Sequence, residues 1–389
     1  MASKLVSSLS WLSAVVLLLV PQPPLLPPQG GHQPLLLRPS ELRLHCEDPH
    51  GSFKALHAFS GRTQLRGGAT DSYRLGLLRA APAPSSSPAT GTPTSSSTSS
   101  KRGDVLWVPA GTMVYLLNAD AKESLRVAVL LRTISSPTGD YMEFFAAGGL
   151  EPESFLRAFS SELQEAAFNS RRRSWKRILG RQQKGAFVKV TEEQIRALLS
   201  HREGGQSGTR SPFPLLSQKP SYSNDRGQMH EVTAREYPQL RRLDVVVSLA
   251  NITAGSMEAP SYNSKATRIA LVISGEATSR WHGGAAAGSS GRGRREVFVI
   301  PAGQPVVTVA ASGGEGLQVL CFGLQAEENR RIFLAGENGV LKELEREAKE
   351  LSFGAPRKEV DEVLNAQKRS IFVEGPQQAS RRGAEPRLS

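Results

Sequence analysis

Residues 297–306, VFVIPAGQPV, form an apolar run that is interrupted by Pro-Ala-Gly and then resumes. A similar stretch, VLWVPAGTMVYLLN, occupies residues 105–118. Proline fixes φ at one corner of a tight turn, and glycine permits the backbone conformation that the turn requires. Each stretch therefore predicts two strands joined by a tight turn. Their repetition predicts two similar modules in one chain.

The residues around each turn predict the same order of elements twice, with short strands first and helices afterwards. Short strands separated by Pro/Gly turns are typical of a β-sandwich or barrel. Apolar residues at three- to four-residue spacing predict helices after each set of strands. In the first half they cover 151–168, 172–181 and 191–201, and in the second half 339–353 and 357–370. Thr191 and Gln194 form a capping-box pattern at the start of the third of these helices.

The composition divides the chain into segments. Residues 1–20 are similar to a secretory signal peptide, although a clear cleavage motif is lacking and an uncleaved anchor is the alternative. Residues 81–103 are a Pro/Ser/Thr tract, which predicts disorder. The predicted segments are a Pro-rich disordered stretch (21–40), an N-terminal module (41–203) with the disordered insert 81–103 and a helical arm (151–203), a linker (204–220), a C-terminal module (221–375) with a helical arm (333–372), and a disordered tail (376–389).

The net charge of +12 raises the question of a polyanionic partner. Aromatic residues make up only 6 % of the chain, and no basic stripe is interleaved with them, so we expect no nucleic-acid partner. The segment RRRSWKR, residues 171–177, is compatible with a nuclear signal or an anion site. The favoured interpretation is a solvated helix face or loop. The two cysteines, Cys46 and Cys321, predict neither a zinc site nor a disulfide framework.

Both Pro-Ala-Gly stretches resemble the second conserved motif of the cupins, a family of antiparallel jelly-roll barrels. In that motif a glycine, a Pro-x-Gly turn, a histidine and an asparagine follow at fixed spacing. The first copy matches at Gly103, Pro109, Gly111 and Asn118, whereas Val114 stands at the histidine position. The second copy matches at Pro301 and Gly303, and Val306 stands at the histidine position.

The first cupin motif is recognisable only in the second module, between Gly255 and Gly275. Ser261 and Asn263 stand at its two histidine positions, and Thr267 or Arg268 stands at its glutamate position. In the metal-binding cupins that this motif resembles, the residues at these positions and the histidine of the second motif together hold a transition metal. Iron or manganese sites need imidazole nitrogens and carboxylates that converge on one point. The sequence therefore predicts no metal, no cofactor and no catalysis.

Further segments resemble the vicilin-type seed storage globulins. They include PSYNSKA at residues 260–266 and AEENRRIFLAGENGVL at residues 326–341. The resemblance implies an all-β fold of two cupin jelly-roll barrels with helical arms. It also implies a homo-trimer that forms through these arms, a route through the secretory pathway to the protein storage vacuole (or outside the cell), and a role as a nutrient reserve. After removal of the signal we expect no membrane partner.

The N-terminal module departs from this family because the strands that would carry its first motif are missing. Only the tract at 81–103 stands where these strands would be. The N-terminal barrel is therefore predicted to be incomplete. The protein either has an unstable module, or its sequence derives from a faulty gene model.

Two further hypotheses come from individual residues. A barrel without metal is also compatible with a binding module for a small apolar or sugar ligand, with Val114, Val299 and Val306 in its interior. Asn251 belongs to the sequon Asn-Ile-Thr, a potential glycosylation site. We give this site little weight because the surrounding sequence predicts a strand in which Asn251 is buried or paired.

Overall fold

The computed structural model describes the residues of both modules, with gaps. The described residues are 36–56, 59, 69–71, 73–82, 102–109, 116–118, 120, 122–132, 154–181, 186–200, 212–281, 284–286 and 296–376. The signal segment, most of the Pro/Ser/Thr tract, Val114 and the tail after 376 lie outside this set, so the predictions for them stay predictions.

The N-terminal half contains six described strands and three helices. The strands are β1 Leu36–Leu37, β2 Arg43–Asp48, β3 Gly51–Ala55, β4 Tyr73–Ala80, β5 Asp104–Val105 and β6 Leu125–Arg132; the helices are α1 Ser161–Phe168, α2 Arg172–Arg181 and α3 Glu192–Ser200. β2, β3, β4 and β6 form an antiparallel sheet in that order. The described residues do not test whether the rest of this barrel is missing, so its incompleteness stays a prediction.

The C-terminal half contains thirteen described strands and two helices. The strands are β7 Phe213–Pro214, β8 Tyr222–Asn224, β9 Gly227–Val232, β10 Val245–Ile252, β11 Ser256–Asn263, β12 Thr267–Ser274, β13 Ala277–Trp281, β14 Gly284–Ala286, β15 Val297–Ile300, β16 Val306–Ala310, β17 Leu317–Leu324, β18 Arg331–Phe333 and β19 Phe372–Glu374; the helices are α4 Arg346–Phe353 and α5 Arg357–Ala366. Short 3₁₀ turns lie at Pro39–Glu41, Phe155–Ala158, Leu215–Ser217, Pro238–Arg242 and Val340–Glu343.

Two antiparallel sheets build the C-terminal barrel. One has seven strands in the order β1-β15-β12-β17-β10-β9-β8, and the other has the order β14-β13-β16-β11-β18, with β19 also paired to β11. Turn glycines enable this path. Gly275 has φ +85°, and a Cβ there would lie 2.0 Å from the carbonyl oxygen of Gly316. Gly303 of the Pro-Ala-Gly turn has φ +73°.

The seven-stranded sheet is buried on both faces. Its inner face presents residues such as Ala270 and Val319 to the second sheet, and these form the barrel core. Its outer face, with Ile269 and Phe322, packs against Leu75 and other residues of the N-terminal half. Burial on both faces explains why β10, β12 and β17 are almost continuously apolar in sequence.

Two segments that the sequence predicts to be irregular contain ordered elements. Leu36–Leu37, within the predicted disordered stretch 21–40, pairs with β15. Phe213–Pro214, within the predicted linker 204–220, pairs with β5. The predicted disorder does not extend to Leu36–Leu37, and the boundaries of both predicted segments stay predictions. The physical reason for this order is burial, because Leu37 and Leu215 belong to the same apolar core as the outer face of the seven-stranded sheet.

The predicted helix over 151–168 is shorter in the structure. A 3₁₀ turn occupies Phe155–Ala158, and α1 begins only after Ser160. The Ser160 hydroxyl accepts a hydrogen bond from the backbone N–H of Leu163. Ser160 is therefore the N-cap of α1, and α1 is separate from the 3₁₀ turn that precedes it. The capping box of α3 is confirmed. The Thr191 N–H donates to Gln194 Oε1 at 2.9 Å, and the Gln194 N–H donates to Thr191 Oγ1 at 3.2 Å.

No helix in the part of the chain that the structure describes is both long and apolar enough to cross a membrane.

Candidate functional site

Two of the positions that the metal motif assigns, Ser261 and Val306, are neighbours in the C-terminal barrel. Ser261 on β11 lies directly opposite Val306 on β16, and both are buried. Asn263 follows on β11 and is buried, and its Oδ1 accepts a hydrogen bond from Asn329 Nδ2 at 3.3 Å. The structure thus places Ser261 beside Val306 and gives Asn263 a structural partner. Thr267 lies opposite Leu324 on β17 and, like Ile269 two residues later, belongs to the outer face of the sheet.

The residue types at these positions do not fit a transition metal. A serine hydroxyl, a hydrogen-bonded amide, a threonine hydroxyl at Thr267 and the apolar Val306 provide neither imidazole nor carboxylate. Within the described part of the chain, no three histidine, cysteine, aspartate or glutamate side chains lie close enough to hold an ion.

A buried network of charged side chains occupies the barrel interior. Arg331 on β18 forms an ion pair with Glu258 on β11 through Nη2 and Oε1. Its Nε donates to Ser261 Oγ at 3.3 Å, and its guanidinium lies 5.2 Å from the centre of the Phe333 ring. The position corresponding to the first histidine of the metal motif is therefore bound to an arginine in this chain.

Arg268, the alternative residue at the glutamate position, brings a second cation into the same interior. It is buried, and its Nε has no hydrogen-bond partner among the described residues. Burial lowers the pKa of Arg268, and the nearby positive charge of Arg331 lowers it further, while Glu258 and Glu231 oppose this shift. Two arginines thus face two carboxylates where a metal-binding cupin has an ion.

The other titratable groups of the interior also show the effect of burial. Burial raises the pKa of Glu231 on β9, and Arg331 partly offsets this rise. Burial likewise raises the pKa of the Cys321 thiol, and the positive charge of Arg268 opposes that rise. Sequence reasoning missed Arg331, Glu258 and Glu231. The available signal was a charged residue at an inward position of a strand, as in SMEAPSYN at residues 256–263.

Little empty space remains inside the barrel. A cavity of about 20 Å³ lies between Arg268, Arg331, Glu258 and Cys321 on one side and apolar residues such as Ile300 on the other. Such a volume holds about one water molecule. Val306 does face the barrel core, but the sequence prediction is wrong for Val299, which faces the core shared with the N-terminal half. Because strand side chains alternate between faces, Phe298 and Ile300 point inward.

Comparisons with known proteins agree with this architecture. The family profile described as Cupin matches residues 213–361. The chain is 42 % identical over 308 residues to a protein named vicilin-like antimicrobial peptides 2-2 from Macadamia integrifolia, with 71 % of this chain and 46 % of that protein covered. The chain therefore spans about half the length of the macadamia relatives that it matches.

The crystal structure of vicilin from Corylus avellana superimposes with a TM-score of 0.77 at 35 % identity, and the match covers 88 % of this chain and 100 % of the hazelnut chain. The chain belongs to the vicilin family. The predicted resemblance and the bicupin jelly-roll fold are thereby confirmed. A vicilin structure from Solanum melongena also matches, with a TM-score of 0.77 at 32 % identity, and the match covers 88 % of this chain and 98 % of the Solanum chain. That structure has different anionic ligands in structurally similar pockets.

Proposed function

We propose that this vicilin is a non-catalytic nutrient reserve of seeds that enters the secretory pathway and is deposited in the protein storage vacuole. The observation that carries the proposal is the loss of metal ligands in a vicilin barrel. The positions of the ligands hold Ser261, Asn263, Thr267 and Val306, and the interior contains the ion pair of Arg331 with Glu258. A reserve protein needs a compact, storable fold and no active centre.

The reserve role is tested by following the protein in seeds with a specific antibody. It should accumulate during maturation, co-fractionate with storage vacuoles and disappear during germination. A constant amount through germination, or accumulation in the cytosol, would contradict the proposal.

We also propose that the chain assembles into a homo-trimer through its helical arms. Both arms expose large apolar side chains. Monomeric proteins rarely have clusters of such side chains on their surface. Phe159, Leu163 and Phe168 of the N-terminal arm are more than half exposed, and Leu351 and Val363 of the C-terminal arm are 85 % and 76 % exposed. Light scattering after size exclusion should give three times the chain mass, whereas a monomer would contradict the assembly.

We propose Asn251 as a glycan acceptor. The sequence-based objection was that Asn251 is buried or paired. Asn251 is paired in the sheet with β9 and β17, but Asn251 and Thr253 are both exposed. The cross-strand neighbours of Asn251 are Gln228 and Gln318, so this end of the sheet is polar. Protein from a secretory host should lose mass on treatment with an N-glycosidase. Asn251→Gln and Thr253→Ala should abolish that loss and Thr253→Ser should keep it; an unmodified wild-type chain would contradict the proposal.

A second candidate function is the binding of a small anion in the barrel. The structure of the Solanum melongena vicilin contains different anionic ligands in structurally similar pockets of its own. Arg268 supports this candidate function, because its buried Nε has no described hydrogen-bond partner and Arg331 lies nearby. The cavity of about 20 Å³ is far below the roughly 300 Å³ of a typical ligand pocket, so an apolar or sugar ligand is not favoured. Formate or chloride should stabilise the wild-type chain saturably and Arg268→Met not at all; equal effects on both would contradict binding at this site.

A further inference from the structure

Helix α2 separates its charges from its apolar residues. With about 100° between successive residues, its cations fall on one half of the helix and its apolar residues on the other. The cationic half consists of Arg172, Arg173, Lys176, Arg177 and Arg181, all exposed, and the apolar half of Trp175, Ile178 and Leu179. This helix contains most of the basic segment at 171–177, to which the proposed storage role assigns no function.

The cations of α2 are arranged against the local electrostatic rules for helices. Arg172 and Lys176, Arg173 and Arg177, and Arg177 and Arg181 are like-charge pairs at i,i+4, a spacing at which repulsion destabilises a helix. Its first turn contains cations and no acidic residue, although the helix dipole favours negative charge there. Violations of local rules of this kind are expected where a residue serves binding and not stability.

The C-terminal arm provides a comparison within the same chain. There, arginines are neutralised at i,i+4, as in Arg346 to Glu350 at 3.1 Å and Arg357 to Asp361 at 2.9 Å. In α2, Arg172 forms an ion pair with Glu162 of α1. Within the part of the chain that the structure describes, Arg173, Arg177 and Arg181 form no ion pair. The excess positive charge is therefore a property of this one helix face.

We propose that the basic face of α2 docks on an anionic lipid surface. Clusters of about four to eight lysines and arginines are attracted electrostatically to anionic lipid headgroups, without insertion of an apolar face. Nucleic acid is disfavoured because the only aromatic side chain of α2, Trp175, points away from the basic face. Its ring centre lies 4.7 Å from that of Phe168, and its Nε1 donates to Ser170 Oγ at 2.6 Å.

The choice of lipid also rests on the proposed secretory route, which brings the chain next to membranes. The apolar half of α2 lies opposite the basic face, so arm-to-arm assembly leaves the cations free. The expectation of no membrane partner is revised at this one face only.

The test is sedimentation of the full chain with vesicles of phosphatidylcholine, with and without about one-third phosphatidylserine. The wild-type chain should bind only the anionic vesicles, and added salt should weaken the binding. Arg173→Gln with Arg177→Gln should reduce the binding constant about twenty-fivefold, because each basic residue near such a surface contributes roughly fivefold. This double change removes like-charge repulsion, so the fold should be retained.

The matched control, Arg235→Gln with Lys358→Gln, removes the same charge from exposed positions elsewhere. It should bind within about twofold of the wild-type chain. Equal loss in both variants, binding to neutral vesicles, displacement by duplex DNA at equimolar charge, or no binding at low salt would each overturn the proposal. Light scattering of the same samples reports assembly independently, so failure of lipid binding is distinguishable from failure of the proposed trimer.

Discussion

At the scale of single residues, the C-terminal barrel has exchanged ion ligands for a network of charged side chains. Arg331 contacts both Glu258 and Ser261, and Arg268 brings a second guanidinium to the same interior. Charges removed from water are tolerated only when each has a partner. The stability of this barrel should therefore depend on the balance between the arginines and the glutamates.

Replacing Glu258 by glutamine should destabilise the chain by about 3 kcal/mol, because it leaves Arg331, whose side chain is only 18 % exposed, without its counter-charge. Denaturant unfolding monitored by circular dichroism measures this loss. The control is Glu350→Gln, which breaks the exposed pair with Arg346 and should change stability by about 1 kcal/mol or less. Losses of equal size in the two variants would show that the interior ion pair contributes no more to stability than the exposed one.

Glu231 should make stability depend on pH. Burial raises its pKa in the folded chain above the ordinary value of 4.5, so folding favours its protonated form. Its contribution is complete below the unfolded pKa and is lost as pH rises through the folded pKa. The Glu231→Gln variant lacks this loss. The unfolding free energy of this variant, relative to that of the wild-type chain, should increase as the pH rises above 4.5. A difference that does not change with pH would contradict the assignment.

At the scale of elements, the two helical arms differ in how they use charge and apolar surface. In the C-terminal arm, Lys349 of α4 forms an ion pair with Asp361 of α5, so this pair holds the two helices together, while Arg357 neutralises Asp361 from within α5. Their apolar residues Leu351 and Val363 then point to solvent. This arrangement is typical of a helical pair that is pre-formed for contact with another subunit.

Lysine at Leu351 and Val363 should block trimer formation without unfolding the chain. Both side chains are exposed in the single chain, so a lysine there disturbs no core contact. Light scattering should report monomers, and circular dichroism should be unchanged. Glu359→Lys, at an exposed polar position of α5, introduces the same side chain and should remain trimeric. A trimer that persists with both lysines would exclude this surface as the contact.

At the scale of the whole chain, the two halves share one apolar core. Leu75 and Tyr73 of β4 pack in the same cluster as Ile269 and Phe322 of the seven-stranded sheet. The N-terminal half therefore covers a sheet face that would otherwise expose apolar residues to water. We expect the two halves to unfold together despite their separate turn motifs.

Replacing Leu75 by alanine should test this cooperativity. Leu75 is fully buried, and truncation of such a leucine costs about 2–5 kcal/mol. Calorimetry should show a single transition that moves to lower temperature as a whole. Two transitions, of which only one moves, would mean that the halves are independent.

The sequence predicted the repeated turns, the barrel class and the family, because these depend on local signals such as Gly303 and on motif spacing. It did not predict that Leu37 and Leu215 are buried, because their partners are distant in sequence and flanking composition suggested disorder. Motif spacing located the positions that correspond to metal ligands, but it did not predict the network of arginines and glutamates. Arg331 and Glu258 are brought together only by the pairing of β11 with β18.

The central claim is that this vicilin barrel holds charged side chains in place of an ion. Elemental analysis of the purified full chain, after dialysis against a chelator, tests it most directly. We expect far less than one equivalent of iron, manganese, copper or zinc per chain. One equivalent that survives the chelator, and that is unchanged in Arg268→Met and Arg331→Met, would contradict it.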